Sequence, residues 1–465
     1  MKKIVTIFFS GLMASSLAVN AEESTITLLP TDMMVVAASG CMPVDISPNG
    51  EYVVGGCSPY APVAFSWNVK EGKAKIYAED GELGAGGDYG SALMMVTDDG
   101  TAYGSGYKVN LKTGVISRHF LMGGMVDDCS DDGKIFVGMT YTKVNSNMGS
   151  PHTIDYQACY WENSIMRRLP VPSEEELGYY YLGTRARMVS GDGSIIVGEI
   201  VDRLHTLPMI MWRRQPNGSY QLDPVCMDYF DDIKYNNGTF KGYVNFRADA
   251  LSNNGKYVAM TVREAPAAVG KPATGPLLMA YYDTETGELT KVTCNGRNGI
   301  AKNSTFSVYY HGISDNGTVT GGYTDDITGA QSCFIMYMDE KQPITFTKAF
   351  PNIDKFFDFE WDSKTSSITP DGKHIAGCGW VMDYQFDPTG VGYYQAFVLN
   401  VGDREDDLNS GNNNGGANND SAVEAIGDED LTPAEYFTLD GREVSNPANG
   451  IYIERRGNKT RKVIL

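Results

Sequence analysis

The stretch ISPNGEYVVGG (46–56) is one of seven versions of a single phrase in this chain. The others are VTDDGTAYGSG (96–106), CSDDGKIFVGM (129–139), VSGDGSIIVGE (189–199), LSNNGKYVAMT (251–261), ISDNGTVTGGY (313–323) and ITPDGKHIAGCG (368–379). Each reads apolar, Ser or Thr, any residue, Asp or Asn, Gly, then an apolar pair. Ser47 or Thr369 opens a type I turn, Pro48 or Pro370 fits its second position, and Gly50 or Gly372 takes the left-handed conformation that follows. A turn of this kind joins antiparallel strands, so each phrase predicts a hairpin. On this reading the Asp and Asn residues are turn formers rather than ligands.

The turn glycines fall at 50, 100, 133, 193, 255, 317 and 372. After most hairpins comes a further β-rich run: APVAFSW (61–67), YQACYW (156–161), LPMIMW (207–212), PLLMAYY (276–282), QSCFIMY (331–337) and YQAFVLN (394–400). Several continue through a second turn into a fourth short strand, as ETGELTKV does after Tyr282. Four strands repeated at intervals mostly of 50–62 residues, with almost no helical periodicity, predict an all-β, seven-bladed β-propeller of four-stranded blades over 22–401. The fourth strand often ends near an apolar residue and proline, as in MRRLP (166–170), YQLDP (220–224) and TKAFP (347–351). The last copy lacks that strand, whereas TITLLP (25–30) supplies one with no hairpin before it. Residues 24–30 are therefore expected to complete blade seven and close the ring, leaving no open edge at the seam.

Ser-x-Asp-Gly-x-x-Val-x-Gly followed by Ala-Phe-x-Trp resembles the HAF-type extracellular repeats of secreted bacterial proteins, with ISPNGEYVVGG and VAFSW as the nearest copy. The resemblance spans roughly 40–400 and implies a propeller without implying an activity. Residues 402–430 are acidic and Asn/Gly-rich and read as a linker. The last segment, 431–465, predicts a small C-terminal β-module. Its YFTLDGREV and NGIYIERRGNKTRKVIL resemble the final motifs of the C-terminal sorting domain of the type IX secretion system, matching at Leu439, Gly441, Arg442, Val444, Gly450, Tyr452, Lys459 and Lys462. That resemblance implies the secretion machinery as a partner and the outer surface of a Gram-negative bacterium as the destination.

The other end agrees with export. Lys2 and Lys3 precede an apolar run from Ile4 to Val19, and Ala21 completes a small-residue cleavage pattern, so 1–21 reads as a signal peptide. No later stretch is apolar for long enough to form a transmembrane segment. The formal net charge of −20 argues against nucleic acid as a partner, because a phosphate-binding surface needs clustered cations. Of eight cysteines, only Cys41 and Cys57 lie almost symmetrically about a turn, as cross-strand neighbours do; the other six read as small buried residues.

The chain lacks the sequence patterns of a nucleophile elbow, a phosphate loop or a zinc-binding helix. DDCSDDG (127–133) falls short of a calcium loop, because Met139 stands where the bidentate acid belongs. No catalytic residue, metal ligand or cofactor is assigned. Long inserts rich in aromatic and polar residues, such as GYYYLGTR (178–185) and DKFFDFEWD (354–362), are expected at the rim opposite the hairpins. Tyr180, Tyr310, Trp361 and Trp380 are the candidate stacking rings there. Three positions before each turn Ser or Thr stand Val44, Met94, Asp127, Arg187, Asp249, His311 and Ser366. Strand alternation would put this row on the channel side, with Asp127, Arg187, Asp249 and His311 either pairing between blades or forming a polar cup for a ligand. The expected function is non-catalytic binding of an extracellular glycan or protein. A glycan-cleaving enzyme with carboxylates converging from different blades is the alternative, and a structural surface-layer protein the third.

Overall fold

The computed structural model describes residues 24–30, 40–57, 63–77, 92–104, 106–119, 121, 124–144, 154–173, 183–201, 209–223, 243–264, 278–292, 305–306, 312–324, 329, 331–350, 363–383, 391–402, 435–437, 443–444, 451–456 and 459–464. The chain divides into two compact units, Met1–Arg404 and Glu405–Leu465.

The hairpin phrase does locally what its chemistry demands. In the first copy Gly50 N–H donates to the Ser47 carbonyl at 2.8 Å, closing the turn. Asn49 Oδ1 accepts from Ser47 Oγ at 2.8 Å and from Glu51 N–H at 2.9 Å, holding its own turn, while its Nδ2 donates to the Asp98 carbonyl of the next repeat at 3.4 Å. Asp371 repeats this with Thr369 Oγ1 at 2.6 Å and Lys373 N–H at 3.0 Å. Gly133 (φ 62°) shows why the glycine is required: a Cβ there would meet left-handed strain and also Tyr103 Oη at 2.5 Å.

The larger unit holds six antiparallel-type sheets, one of them eight-stranded. That sheet divides at a single parallel pair, Tyr156 with Gly183, into two halves of four strands each. Each of the seven resulting repeats carries one hairpin phrase between its first and second strands. Sheet one runs Cys41–Ile46, Tyr52–Cys57, Val63–Asn68 and Lys73–Ile76. Each sheet packs on the next in chain order, and the seventh packs on the first. The residues just before the turn Ser or Thr are Ile46, Val96, Cys129, Val189, Leu251, Ile313 and Ile368, one from each repeat, and all seven line one central cavity. This arrangement is consistent with a β-propeller.

Apolar residues of the inner three strands bury themselves between neighbouring sheets. Trp67, Trp161 and Trp212, on the third strands, are among the largest fully buried side chains. Trp212 also crosses the gap between sheets, its Nε1–H donating to the Pro170 carbonyl at 2.6 Å. One expectation needs correction. In sheet six the fourth strand is only Ile344–Thr345, and Phe346–Ala349 forms a single helical turn with Thr345 as N-cap. Phe350, the apolar residue of TKAFP, is still buried beside Phe346, so it reaches the core by another backbone route.

At the seam, Thr25–Leu28 pairs antiparallel with Phe397–Asn400 as the fourth strand of sheet seven. The next residue identifies the position. Leu29 N–H donates to the Ala396 carbonyl at 3.0 Å, as Leu169 N–H does to the Ala158 carbonyl at 2.9 Å in sheet three. Both leucines are fully buried. Leu29 shares its core cluster with Cys41, Val53 and Trp67 of sheet one and Ala396 of sheet seven.

Cys41 and Cys57 face each other across the first hairpin and are disulfide-bonded, with Cα atoms 4.1 Å apart. The bond closes a loop 16 residues long, for which reduction should cost about 3 kcal/mol. Thermal unfolding with and without reductant checks this, and a Cys41→Ser/Cys57→Ser variant should match the reduced protein. Cys159, Cys333 and Cys378 are buried and Cys129 is half-buried; Cys226 and Cys294 lie outside the described residues.

The smaller unit contains one sheet, in which Glu435–Phe437 pairs with Glu443–Val444 and with Ile451–Arg456, and the last of these pairs with Lys459–Ile464. No helix among the described residues is long and apolar enough to cross a membrane.

Candidate functional site: an arginine–carboxylate cluster on sheets three to five

The row three positions before the turn has a property that alternation does not anticipate. In the first strand of six sheets the register skips a residue at this position: Val44, Met94, Asp127, Arg187, Asp249 and Ser366. A bulged residue is unpaired, and the strand's two-residue alternation breaks there. The side chains therefore do not simply share a face with the apolar residue before the turn, and the alternation argument is corrected on that point. His311, Tyr180, Tyr310 and Trp361 lie outside the described residues. Trp380 sits on the second strand of sheet seven and packs edge-on against Tyr394, ring centroids 4.9 Å apart. It stands on a different sheet from Asp127, Arg187 and Asp249.

Those three do belong to one cluster, completed by Arg185, Arg247 and Glu199, which reading the row alone overlooks. Arg185 forms an ion pair with Asp127 across the gap between sheets four and three, with Nε donating to Oδ2 at 2.8 Å. The partner of Asp127 is thus Arg185, two residues before Arg187. Arg247 Nε approaches Asp249 Oδ1 at 3.6 Å, and Thr261 Oγ1 donates to Asp249 Oδ2. Arg187 Nη1 lies 3.7 Å from Glu199 Oε1, beyond hydrogen-bond distance. The signal for the missing members was present: Arg185 and Arg187 flank Ala186, and Glu199 is the cross-strand partner of Arg185.

Burial sets the electrostatics. The Asp249 side chain is almost fully enclosed. That enclosure pushes its carboxyl up to about 7, against the opposing pull of Thr261, Arg247 and Arg187. Arg187 is held below the usual guanidinium range, first by burial and then by Arg185 and Arg247, with Glu199 and Asp127 working the other way. Three guanidinium groups therefore stand among the side chains of Asp127, Glu199 and Asp249, of which Asp249 is raised by burial. Beside them, Tyr141 acts electrostatically on Arg185. The residue is 45% exposed, its ring tilts against Tyr156 at 5.5 Å, and its hydroxyl donates to Met125 Sδ at 3.4 Å.

A second polar group lines the central cavity, whose volume is about 150 Å³. Asp45 and Asp128 follow the bulges of sheets one and three, and each bridges to the next sheet. Asp45 Oδ2 accepts from Val96 N–H at 2.9 Å and Asp128 Oδ2 from Val189 N–H at 2.9 Å. Ser367 Oγ also donates to Asp45 Oδ1 at 3.2 Å, tying in sheet seven. Both carboxyls keep surface facing the cavity yet are enclosed by protein, and burial raises Asp45 to about 6 and Asp128 to about 8. Among the described residues no group of three metal-ligating side chains occurs.

No family model and no curated protein matches the chain. Among solved structures it is similar to TolB from Acinetobacter baumannii at 15% identity and TM-score 0.34, covering 65% of this chain and 61% of TolB. An oligogalacturonate lyase in complex with manganese gives 11% identity and TM-score 0.48 over 82% of this chain and 95% of the lyase. A puromycin hydrolase gives 11% and 0.47 over 91% and 60%. The chain thus spans about three fifths of the length of TolB and of the puromycin hydrolase, and at such identities a shared outline says nothing of shared chemistry.

Proposed function

We propose that this chain is an exported seven-bladed β-propeller that binds an extracellular glycan or protein, without catalysis, at the cluster on blades three to five. The observation that carries the reading is Arg187, a guanidinium that makes no hydrogen bond to any described residue, its nearest carboxylate contact being Glu199 Oε1 at 3.7 Å. A structural ion pair would be expected to close to hydrogen-bond distance, as Arg185 does with Asp127. A glycan and peptide array probed with the mature chain tests the reading, with hydrolysis assays on every hit. Binding without turnover is the expected result, and an array with no hit would end it.

The competing reading is a glycan-cleaving enzyme. Asp249, near neutrality in its titration, and Asp127, clamped by Arg185, are carboxyls in unlike environments, which is what acid–base pairs require. The enclosure of Asp249 weighs against it, since a general acid must reach its substrate. Turnover of an array hit, lost in Asp249→Asn, would establish it.

The sorting-type motifs and the signal-like start support display on the outer surface of a Gram-negative bacterium through the type IX machinery. Deleting 431–465 should leave the larger unit's thermal unfolding unchanged and abolish surface display, read by labelling of intact cells; normal display would remove that assignment.

A further inference from the structure

We propose that the group anchored at Arg187 is a carboxylate carried on a sugar ring, so that the ligand is a uronic-acid-containing glycan; this rests on the binding reading above. Three observations converge on it. Arg185 is committed to Asp127 and Arg247 lies beside Asp249, whereas Arg187 has only the 3.7 Å approach of Glu199 and keeps 31% of its side chain exposed. Its charge is opposed by burial and by two flanking guanidinium groups, so an arriving anion relieves a cost the folded protein already carries. On a chain with a formal charge of −20, a guanidinium held beyond hydrogen-bond distance of its nearest carboxylate runs against the overall field and has to be placed locally.

The choice of carboxylate follows from the planar guanidinium fork, which matches a carboxylate through two parallel hydrogen bonds. The choice of a sugar follows from the surroundings. Tyr141 offers an exposed flat ring near Arg185, suited to the apolar face of a pyranose. A uronate carries its carboxylate rigidly on the ring, so one residue satisfies both the ring and the fork.

The test compares binding of the mature chain to oligomers of glucuronate and of galacturonate with binding to the same oligomers after carboxyl reduction. The wild-type protein should bind at least one acidic series about tenfold or more tighter than its reduced counterpart, the scale of one charge-assisted pair. Arg187→Met should erase that preference while Tyr141→Ala weakens both forms alike. Should Arg187→Met not fold, Arg187→Lys decides: it keeps the charge, loses the fork, and should forfeit most of the preference. Equal binding of acidic and reduced oligomers, or a preference that survives in a folded Arg187 variant, overturns the carboxylate and leaves glycan binding standing. Binding to peptides alone overturns the glycan and leaves only the broader reading. No binding to any probe ends both.

Discussion

A chain lacking residues 24–30 should unfold far below the intact mature chain, whereas one lacking 402–465 should melt in its larger unit where the intact chain does. The strand Thr25–Leu28 makes four consecutive pairs with Phe397–Asn400, and its loss exposes that edge to water and to other chains. Leu29 alone is fully buried between sheets seven and one, so Leu29→Ala should cost about 3 kcal/mol and the whole deletion more. Gln395 Nε2 would also lose the Leu29 carbonyl that it meets at 3.2 Å while itself buried. Calorimetry of the three proteins checks the order. Equal midpoints for intact and N-terminally trimmed chains would mean that the ring does not depend on its first strand.

The second large effect is an unusual pH dependence. Asp45, Asp128 and Asp249 have native pKa values of about 6, 8 and 7, all raised above the ordinary 3.8, with burial as the first cause. A carboxyl raised on folding favours the native state in its protonated form. That contribution is complete below the unfolded pKa and is lost as pH rises through the native one. Stability should therefore fall between about pH 4 and pH 8, each of the three raised carboxyls adding to the loss. Asp99, Asp132 and Asp192 act in the opposite sense. Burial raises them, but their turn hydrogen bonds outweigh it and hold them below the usual range. Their contribution is lost only as pH falls below about 4. The stability maximum is thus expected on the acidic side of neutrality. Asp128→Asn isolates the largest contributor, since the amide imitates the protonated acid. The variant should equal wild type near pH 4 and exceed it at pH 8. Lower stability at both would show that the Val189 and Cys129 N–H donors, at 2.9 and 2.8 Å, prefer a charged carboxylate and outweigh burial.

Much of this was legible in the order of residues. The Ser-x-Asp-Gly phrase fixes a turn through local chemistry, and a turn repeated seven times leaves few ways to arrange the intervening strands. TITLLP could be recognised as a displaced fourth strand because Pro30 follows Leu29 as Pro170 follows Leu169. The Cys41–Cys57 bond followed from their symmetry about a turn. What stayed hidden depends on where the backbone departs from its period. The bulge at Asp127, Arg187 and Asp249 leaves no mark that alternation can read, so the row was located but its direction was not. Pairing was hidden for the same reason. Arg185 reaches Asp127 from the neighbouring sheet, and Glu199 reaches Arg187 from the neighbouring strand. Asp45 and Asp128 escaped notice because each acts on a backbone N–H of the next sheet, a partner with no residue type to search for.

Arg187 decides where the ligand binds. The most direct measurement is the affinity, per folded molecule, of wild-type and Arg187→Met proteins for the ligands that the array identifies. Methionine keeps most of the side chain's volume and removes no hydrogen bond to a described residue. The variant should therefore unfold close to wild type and lose about tenfold or more in affinity. A variant that folds as well as wild type and binds each ligand equally would place the binding site elsewhere on the molecule and contradict the assignment.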